Sequence, residues 1–159
     1  MWSRLHQLQR WMYRGGRPGG VARLLNTVAA WQFAAGLLRW RDATLQVRGR
    51  RSGNTIAVPV VIADHDGERY LVSMLGEDAN WVRNVKHADG RAALKRRRVE
   101  QVSLVDVPSA ERAPILKRYL AVAPGARPHF PVDRHAALTD FAAIAADYPV
   151  FRIVPAPSG

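Results

Sequence analysis

From Ala43 onward the apolar residues follow the two-residue period of β-strands, and glycine-containing turns separate the segments. The sequence predicts strands at 43–48 and 55–63 with a tight loop at 49–54 between them. A predicted hairpin turn at 64–67 then leads into a strand at 68–75. Short strands joined by hairpins are typical of an antiparallel sheet or a small barrel.

Helices are predicted between the later strands, so the expected fold class is α+β. We expect helices at 79–88 (capped by Asp78 and ended by Gly90), 109–121 and 139–146 (capped by Thr139), and strands at 92–98, 99–107 and 148–154. Pro114 should kink the 109–121 helix or move its start, because proline breaks a helix interior.

Residues 1–40 form a predicted helical extension, and 41–159 form the predicted barrel domain. Helices are expected at 3–13 and 21–40, and four of the five tryptophans lie in this extension beside six arginines. Tryptophan and arginine on amphipathic helices are typical of an interfacial membrane anchor. The alternative is that both helices pack on the domain while their arginines extend into solvent.

Positive charge is concentrated at the N-terminal end of the chain. The net charge is +11, and residues 1–51 hold ten arginines against one acid, Asp42. We expect any anionic partner to bind this third of the protein.

The longest apolar run, 28–38, is too short to cross a bilayer. We therefore expect a cytoplasmic protein, with peripheral association at the inner face of the plasma membrane as the alternative.

Several kinds of chemistry lack the residues that they require. There is no cysteine, so thiolate nucleophiles and disulfides are excluded. The five histidines show no metal-binding spacing, and no metal site is predicted. The basic run 91–98 contains no aromatic residue, which favours the solvated end of a hairpin over a nucleic-acid site. Contact of this run with anionic lipid is the alternative.

The loop Gly49-Arg50-Arg51-Ser52-Gly53 is the sharpest local feature. Glycines allow backbone amides to turn toward an anion, and arginine and serine side chains add donors suited to phosphate or carboxylate. The loop therefore predicts an anion site, with a solvated hairpin as the alternative.

The order of several segments resembles the deazaflavin-dependent nitroreductase family. They are WMYR at 11–14, GRRSG at 49–53, a strand with Pro59, DG at 66–67, YLVS at 70–73 and NWVRNV at 80–85, with a weaker similarity at YPV, 148–150. The resemblance implies a split β-barrel of about six mainly antiparallel strands that binds the deazaflavin coenzyme F420, whose phosphate and oligoglutamate tail is a multiple anion.

The resemblance also implies roles for individual residues. The phosphate and tail would contact Arg50, Arg51 and Ser52. The ring system would lie against Ile56, Ala57, Val58, Pro59, Val60, Val61, Ser73, Met74, Leu75 and Gly76, and beside Asn80, Trp81, Val82, Arg83, Asn84 and Val85. The implied reaction is hydride transfer to a small planar or hydrophobic acceptor such as a quinone, an enone or a nitro compound, by a monomer or a homodimer.

Departures from the family pattern keep other ligands open. The family often has arginine where Ile56 stands, a Ser-Lys pair near Leu75-Gly76, and tyrosine at Val82. The same fold could instead bind FMN or a haem-type ligand, or serve as a non-catalytic lipid or fatty-acid binder. For catalysis, His129 and Tyr148 are candidate donors or substrate walls, with a loop histidine and a core tyrosine as the alternatives.

Overall fold

The computed structural model describes residues 41–157, and the predicted helices at 3–13 and 21–40 lie outside them. The described chain contains seven strands, three α-helices and three 3₁₀ turns. The strands are β1 Asp42–Arg48, β2 Thr55–Val61, β3 Ala63–His65, β4 Glu68–Val72, β5 Arg91–Lys95, β6 Val99–Asp106 and β7 Val150–Pro155; the helices are α1 Asn80–His87, α2 Ala113–Val122 and α3 Leu138–Ile144; the 3₁₀ turns are Ser109–Glu111, Pro124–His129 and Ala145–Asp147.

All seven strands form one antiparallel sheet in the order β2-β1-β5-β6-β7-β4-β3. The two edge strands, β2 and β3, are separated in sequence by Ile62 alone. One continuous segment therefore joins the two ends of the sheet and curls it into a half-barrel. This architecture confirms the predicted α+β split barrel.

The predicted strand 55–63 is two strands, which makes the count seven rather than about six. At Ile62 the chain stops pairing with β1, and the Ile62 N–H donates to the Arg41 carbonyl at 2.7 Å. Ile62 is fully buried at this bend, and the next residues pair with β4 instead of β1. Residues 60–63 around the bend are all apolar and include neither glycine nor proline, so the sequence carries no local signal for it.

The hairpin turn predicted at 64–67 is also shorter than expected. Its first two residues belong to β3, and the turn is the pair Asp66-Gly67, with φ values of 50° and 77°. Two left-handed residues in succession suit the right-handed twist of a hairpin. The predicted strand 68–75 ends at Val72, because the Ser73 hydroxyl donates to the Gly76 carbonyl at 2.6 Å in a tight turn.

Both predicted helix caps are wrong. The residue before α1 is Ala79 and the residue before α3 is Ala137, and neither helix has a side-chain cap. The Asp78 carboxylate accepts instead from Arg83 Nη2 at 3.0 Å. Pro114 lies in the first turn of α2, where backbone N–H groups have no acceptor within the helix. Proline's missing N–H therefore costs nothing there, and Pro114 moves the helix start rather than kinking the helix.

Apolar side chains form two cores. In the first, β1, β5, β6 and β7 pack with α1, where Trp81 contacts the Phe151 ring with centroids 5.7 Å apart. In the second, β3 and β4 pack against α2 and α3 around the fully buried Phe141. The basic run ends β5 in a turn, where Arg96–Arg98 are exposed, which confirms the predicted hairpin end.

Asp64 on β3 forms hydrogen bonds with α2 and with the residue before β1. It accepts hydrogen bonds from Arg118 on α2, at 3.1 and 3.2 Å, and from Arg41, the residue before β1. The bonds from Arg41 and then Arg118 outweigh the effect of burial and hold the pKa of Asp64 below its ordinary value. The carboxylate therefore links the start of β1, β3 and α2.

We expect Asp64→Asn to lower the free energy of unfolding by about 1 kcal/mol at pH 7, since both partners are partly solvated. Because the pKa of Asp64 is lower in the folded state, its stabilisation is present above roughly pH 4 and is lost as the pH falls through the folded pKa. Urea unfolding at pH 7, 4 and 3 measures this: the difference between wild type and variant should shrink toward low pH. Glu68→Gln, at an exposed position, is the control, and a difference that does not depend on pH would contradict the assignment.

Candidate functional site

The loop between β1 and β2 is closed by its own backbone. The Gly49 N–H donates to the Asn54 carbonyl at 2.7 Å, and the Gly53 N–H donates to the Gly49 carbonyl at 2.9 Å. The Ser52 hydroxyl oxygen accepts from the Asn54 N–H at 3.1 Å. Gly53 has a φ of 74°, which favours glycine. These bonds hold the arginines at the loop's tip in a defined turn.

Gly49 is required for a different reason, close packing. A Cβ at this position would lie 2.8 Å from Ile56 Cδ1, 3.0 Å from Ser52 Oγ and 3.2 Å from the Asn54 carbonyl oxygen. The glycine therefore allows Ile56 and the loop backbone to approach each other. The shape of the loop at 49–54 therefore depends on the absence of a side chain at Gly49.

Helix α1 holds the loop from one side through Asn84. Its side-chain oxygen accepts from the Arg50 N–H at 3.1 Å and from Arg50 Nη1 at 2.9 Å. Asn84 is only 1% exposed, on the helix face whose neighbours Val82 and Val85 lie in the first core. The family resemblance implies that Asn84 lies beside the cofactor, and local sequence carries no signal for its bonds to Arg50.

The positive charges of two other arginines act on Arg50 at this junction. The pKa of Arg50 lies below its ordinary value because of partial burial first and then the positive charges of Arg51 and Arg83. Arg83 is paired with Asp78 at 3.0 Å. One carboxylate thus offsets part of the charge of three guanidinium groups, and an added anion would offset more. The donors present, guanidinium groups and a serine hydroxyl, fit phosphate and carboxylate groups.

The residues predicted to line the ring system on β2 form a partly exposed apolar surface. Ile56 is 38% exposed, and positions 58–61 are half-buried. Pro59 stands in this strand because β2 is an edge of the sheet, where a missing N–H costs little. The strand continues directly from the arginine loop, so an apolar surface adjoins the charged one.

The second predicted lining segment, 73–76, is a turn packed against 147–149. The Ser73 N–H donates to the Pro149 carbonyl at 3.0 Å, and Ser73 is fully buried. Leu75 lies in the first core and Met74 is half-buried between both cores. Gly76 has a φ of 85°. Contact of this segment with the cofactor stays a prediction.

The predicted residues of α1 divide between its two sides. Trp81, Val82 and Val85 are buried in the first core, whereas the Arg83 side chain is exposed and Asn80 is half-buried. The packing of these three residues positions α1, whose Asn84 contacts the loop. Their direct contact with the cofactor stays a prediction.

The two catalytic candidates lie close together, with Tyr148 in the second core and His129 half-buried beside it. The Tyr148 hydroxyl donates to the His129 carbonyl at 2.9 Å, and the Tyr148 ring stacks on Phe130 with centroids 4.1 Å apart. Tyr148 is 7% exposed. This geometry suits the alternative of a core tyrosine, and a catalytic role for either residue stays a prediction.

Beside Phe130 lies an open recess of about 430 Å³, with polar and apolar walls. It is lined by Arg127, Phe130, Pro131, Val132, Asp133 and Arg134. The sequence analysis had placed none of its charged residues at a site. Arg127 is held in place because it donates to the carbonyls of Leu120 and Ala121 at the end of α2.

Between residues 41 and 157, no group of histidine and carboxylate side chains could hold a metal ion. In the same part of the chain, no helix is both long enough and apolar enough to span a membrane.

A family model described as F420H(2)-dependent quinone reductase matches residues 32–137. The chain belongs to this family. It is therefore an oxidoreductase with F420 as its cofactor, which confirms the resemblance drawn from the loop, the β2 strand and α1. The arginine loop at 49–53 and all of α1 fall within the matched residues.

Solved structures are similar to this chain at low identity. A protein of unknown function from Agrobacterium tumefaciens is 16% identical with a TM-score of 0.51, and the match covers 71% of this chain and 47%, about half, of that chain. An F420-H2-dependent reductase is 17% identical with a TM-score of 0.49, covering 72% of this chain and 94% of that one. A domain-swapped dimer is 15% identical with a TM-score of 0.50, covering 84% and 96%. A comparison with curated proteins found no match.

We expect Gly49→Ala to weaken F420 binding severalfold, because its methyl group would lie 3.0 Å from Ser52 Oγ and 3.2 Å from the Asn54 carbonyl oxygen. The loop backbone would have to shift, although the exposed Ile56 side chain can rotate away. Quenching of F420 fluorescence on titration measures the affinity. Gly125→Ala is the matched control, since a Cβ there meets nothing within 4 Å. Equal F420 affinity in both variants would show that the shape of the loop does not matter for binding.

Proposed function

We propose that this reductase transfers a hydride from reduced F420 to a planar, apolar acceptor of the quinone class. The observation that carries the proposal is the junction of the arginine loop with the exposed edge strand β2. An anionic tail and a flat apolar ring are different chemical surfaces, and this junction offers a partner for each. The family supports the cofactor, and the apolar strand supports a hydrophobic acceptor.

The arginine loop would bind the tail. Arg50 and Arg51 supply planar donor pairs for phosphate or carboxylate oxygens, and the Ser52 hydroxyl adds a neutral donor. Arg83, on the adjacent helix, adds positive charge from a second element. When bound, reduced F420 supplies a hydride donor, and the protein positions it.

The strand β2 would hold the ring and the acceptor. Val58 and Val60 share one face of the strand and are half-buried against the first core, so a flat ligand placed on that face would complete their burial and exclude water. A quinone gains negative charge as it is reduced and needs a hydrogen-bond donor or a cation nearby. Tyr148 could donate only by giving up its bond to the His129 carbonyl, so we propose it as a structural residue of the second core.

The oxidoreductase would work at an anionic membrane surface, where hydrophobic quinones are found. Three features support this: the ten arginines in residues 1–51, the tryptophans predicted on amphipathic helices, and the exposed turn Arg96–Arg98.

Cofactor titration tests the first part of the proposal. F420 and FMN are titrated separately at physiological salt, and we expect F420 to bind selectively. The variant Arg50→Ala/Arg51→Ala should lose at least tenfold in F420 affinity, about 1.4 kcal/mol, because two charge-assisted contacts are removed. Reduction of a soluble quinone by reduced F420 should fall in parallel at subsaturating cofactor.

The matched control removes two arginines elsewhere. Arg97→Ala/Arg98→Ala lowers the net charge equally but leaves the loop intact, and it should bind F420 as wild type does. Selective FMN binding, or equal F420 affinity in the two double variants, would contradict the proposed loop function.

Vesicle binding tests the membrane part. Co-sedimentation with vesicles of phosphatidylcholine and phosphatidylglycerol should exceed that with phosphatidylcholine alone and should fall with salt. Arg97→Ala/Arg98→Ala should reduce binding by up to about thirtyfold, since each basic residue near an anionic surface contributes on the order of 1 kcal/mol. Equal sedimentation with neutral and anionic vesicles would contradict association driven by charge.

A further inference from the structure

Asn84 is a buried polar side chain in an apolar setting. It is 1% exposed, and its neighbours on α1, Val82 and Val85, are 0% and 1% exposed. Burying an amide without hydrogen bonds is costly, so such a residue needs a specific partner. The Asn84 side-chain oxygen has that partner in Arg50.

Both hydrogen bonds come from the same arginine but from opposite ends of it. The backbone N–H lies 3.1 Å from Asn84 Oδ1, and Nη1 of the side chain lies 2.9 Å from the same atom. One acceptor therefore fixes the guanidinium group relative to its own backbone. A flexible side chain is ordered before a ligand arrives, which lowers the entropy cost of binding.

The Asn84 side-chain oxygen is also an uncharged hydrogen-bond acceptor. Arg50 is repelled by Arg51 and Arg83, so a carboxylate at position 84 would attract all three arginines in the free protein. It would then compete with an anionic ligand for the same charges. An amide oxygen holds Arg50 without lowering the positive charge of the junction.

We propose that Asn84 is a positioning residue that presents Arg50 to the anionic tail of F420 while leaving its charge available. The proposal rests on the function proposed above and adds the source of selectivity: preference for a deazaflavin with a charged tail over the bare ring. Asn84 would act through Arg50 and would not touch the reacting ring.

Two substitutions separate position from charge. Asn84→Ala removes the acceptor and releases the guanidinium group. Asn84→Asp keeps an acceptor of the same shape and adds a negative charge. Each variant is titrated with F420 and with the deazaflavin chromophore that lacks phosphate and glutamate, over a series of salt concentrations. Thermal unfolding of each variant measures the integrity of the fold.

We expect both variants to bind F420 roughly tenfold more weakly and the bare chromophore as wild type does. In Asn84→Asp the salt dependence of F420 binding should also become shallower, because one positive charge is neutralised. Val102→Ala is the control: Val102 is buried on β6, so it lowers stability without contacting the loop, and its F420 affinity should be unchanged. Should one Asn84 variant fail to fold, the other still tests the proposal.

Other results would overturn the inference. F420 affinity of Asn84→Asp equal to wild type would show that charge at this position does not reach the tail. Equal loss for F420 and the bare chromophore in both variants would assign Asn84 to general structure. If Arg50→Ala/Arg51→Ala weakens F420 binding but the Asn84 variants do not, the positioning role fails while the proposed function stands. If the double variant also binds normally, the proposed function itself fails.

Discussion

The bend at Ile62 is the constraint on which the rest of this structure depends. One pass of chain, Thr55–His65, supplies both edges of the sheet, so the barrel closes only if the chain turns from β1 toward β4 at that residue. The bend is fixed by the bond from Ile62 to the Arg41 carbonyl and by full burial of its side chain. Asp64 reinforces it two residues later through Arg118 on α2 and Arg41, the residue before β1.

This closure places the candidate site. The edge strand β2 leaves the arginine loop and runs to the bend, so an exposed apolar strand and a charged loop share one end of the barrel. Helix α1 packs its apolar face into the first core, and that packing brings Asn84 to Arg50. The site is therefore assembled from local turn chemistry in the loop and from long-range packing of the helix. Only the turn chemistry of the loop is determined by residues adjacent in sequence.

The difference explains what the sequence could predict. The strands, the loop at 49–53 and the fold class followed from periodicity, glycine positions and family resemblance. The bend at Ile62 could not, because it is one apolar residue among others. The failed cap at Asp78 and the bonds of Asn84 have the same origin. Each depends on an arginine, Arg83 or Arg50, whose position is set by tertiary packing rather than by local preference.

Ile56 shows how this chain departs from the family pattern at the site itself. The family often carries arginine there, whereas the isoleucine Cδ1 lies 2.8 Å from where a Cβ on Gly49 would be. The side chain thus shapes the base of the loop and contributes no charge. The positive charge comes instead from the loop and from α1, so it depends on how the helix is docked. A site of this kind makes the helix-to-loop contact at Asn84 as consequential as the arginines, because displacing the helix would move Arg83 and release Arg50 together.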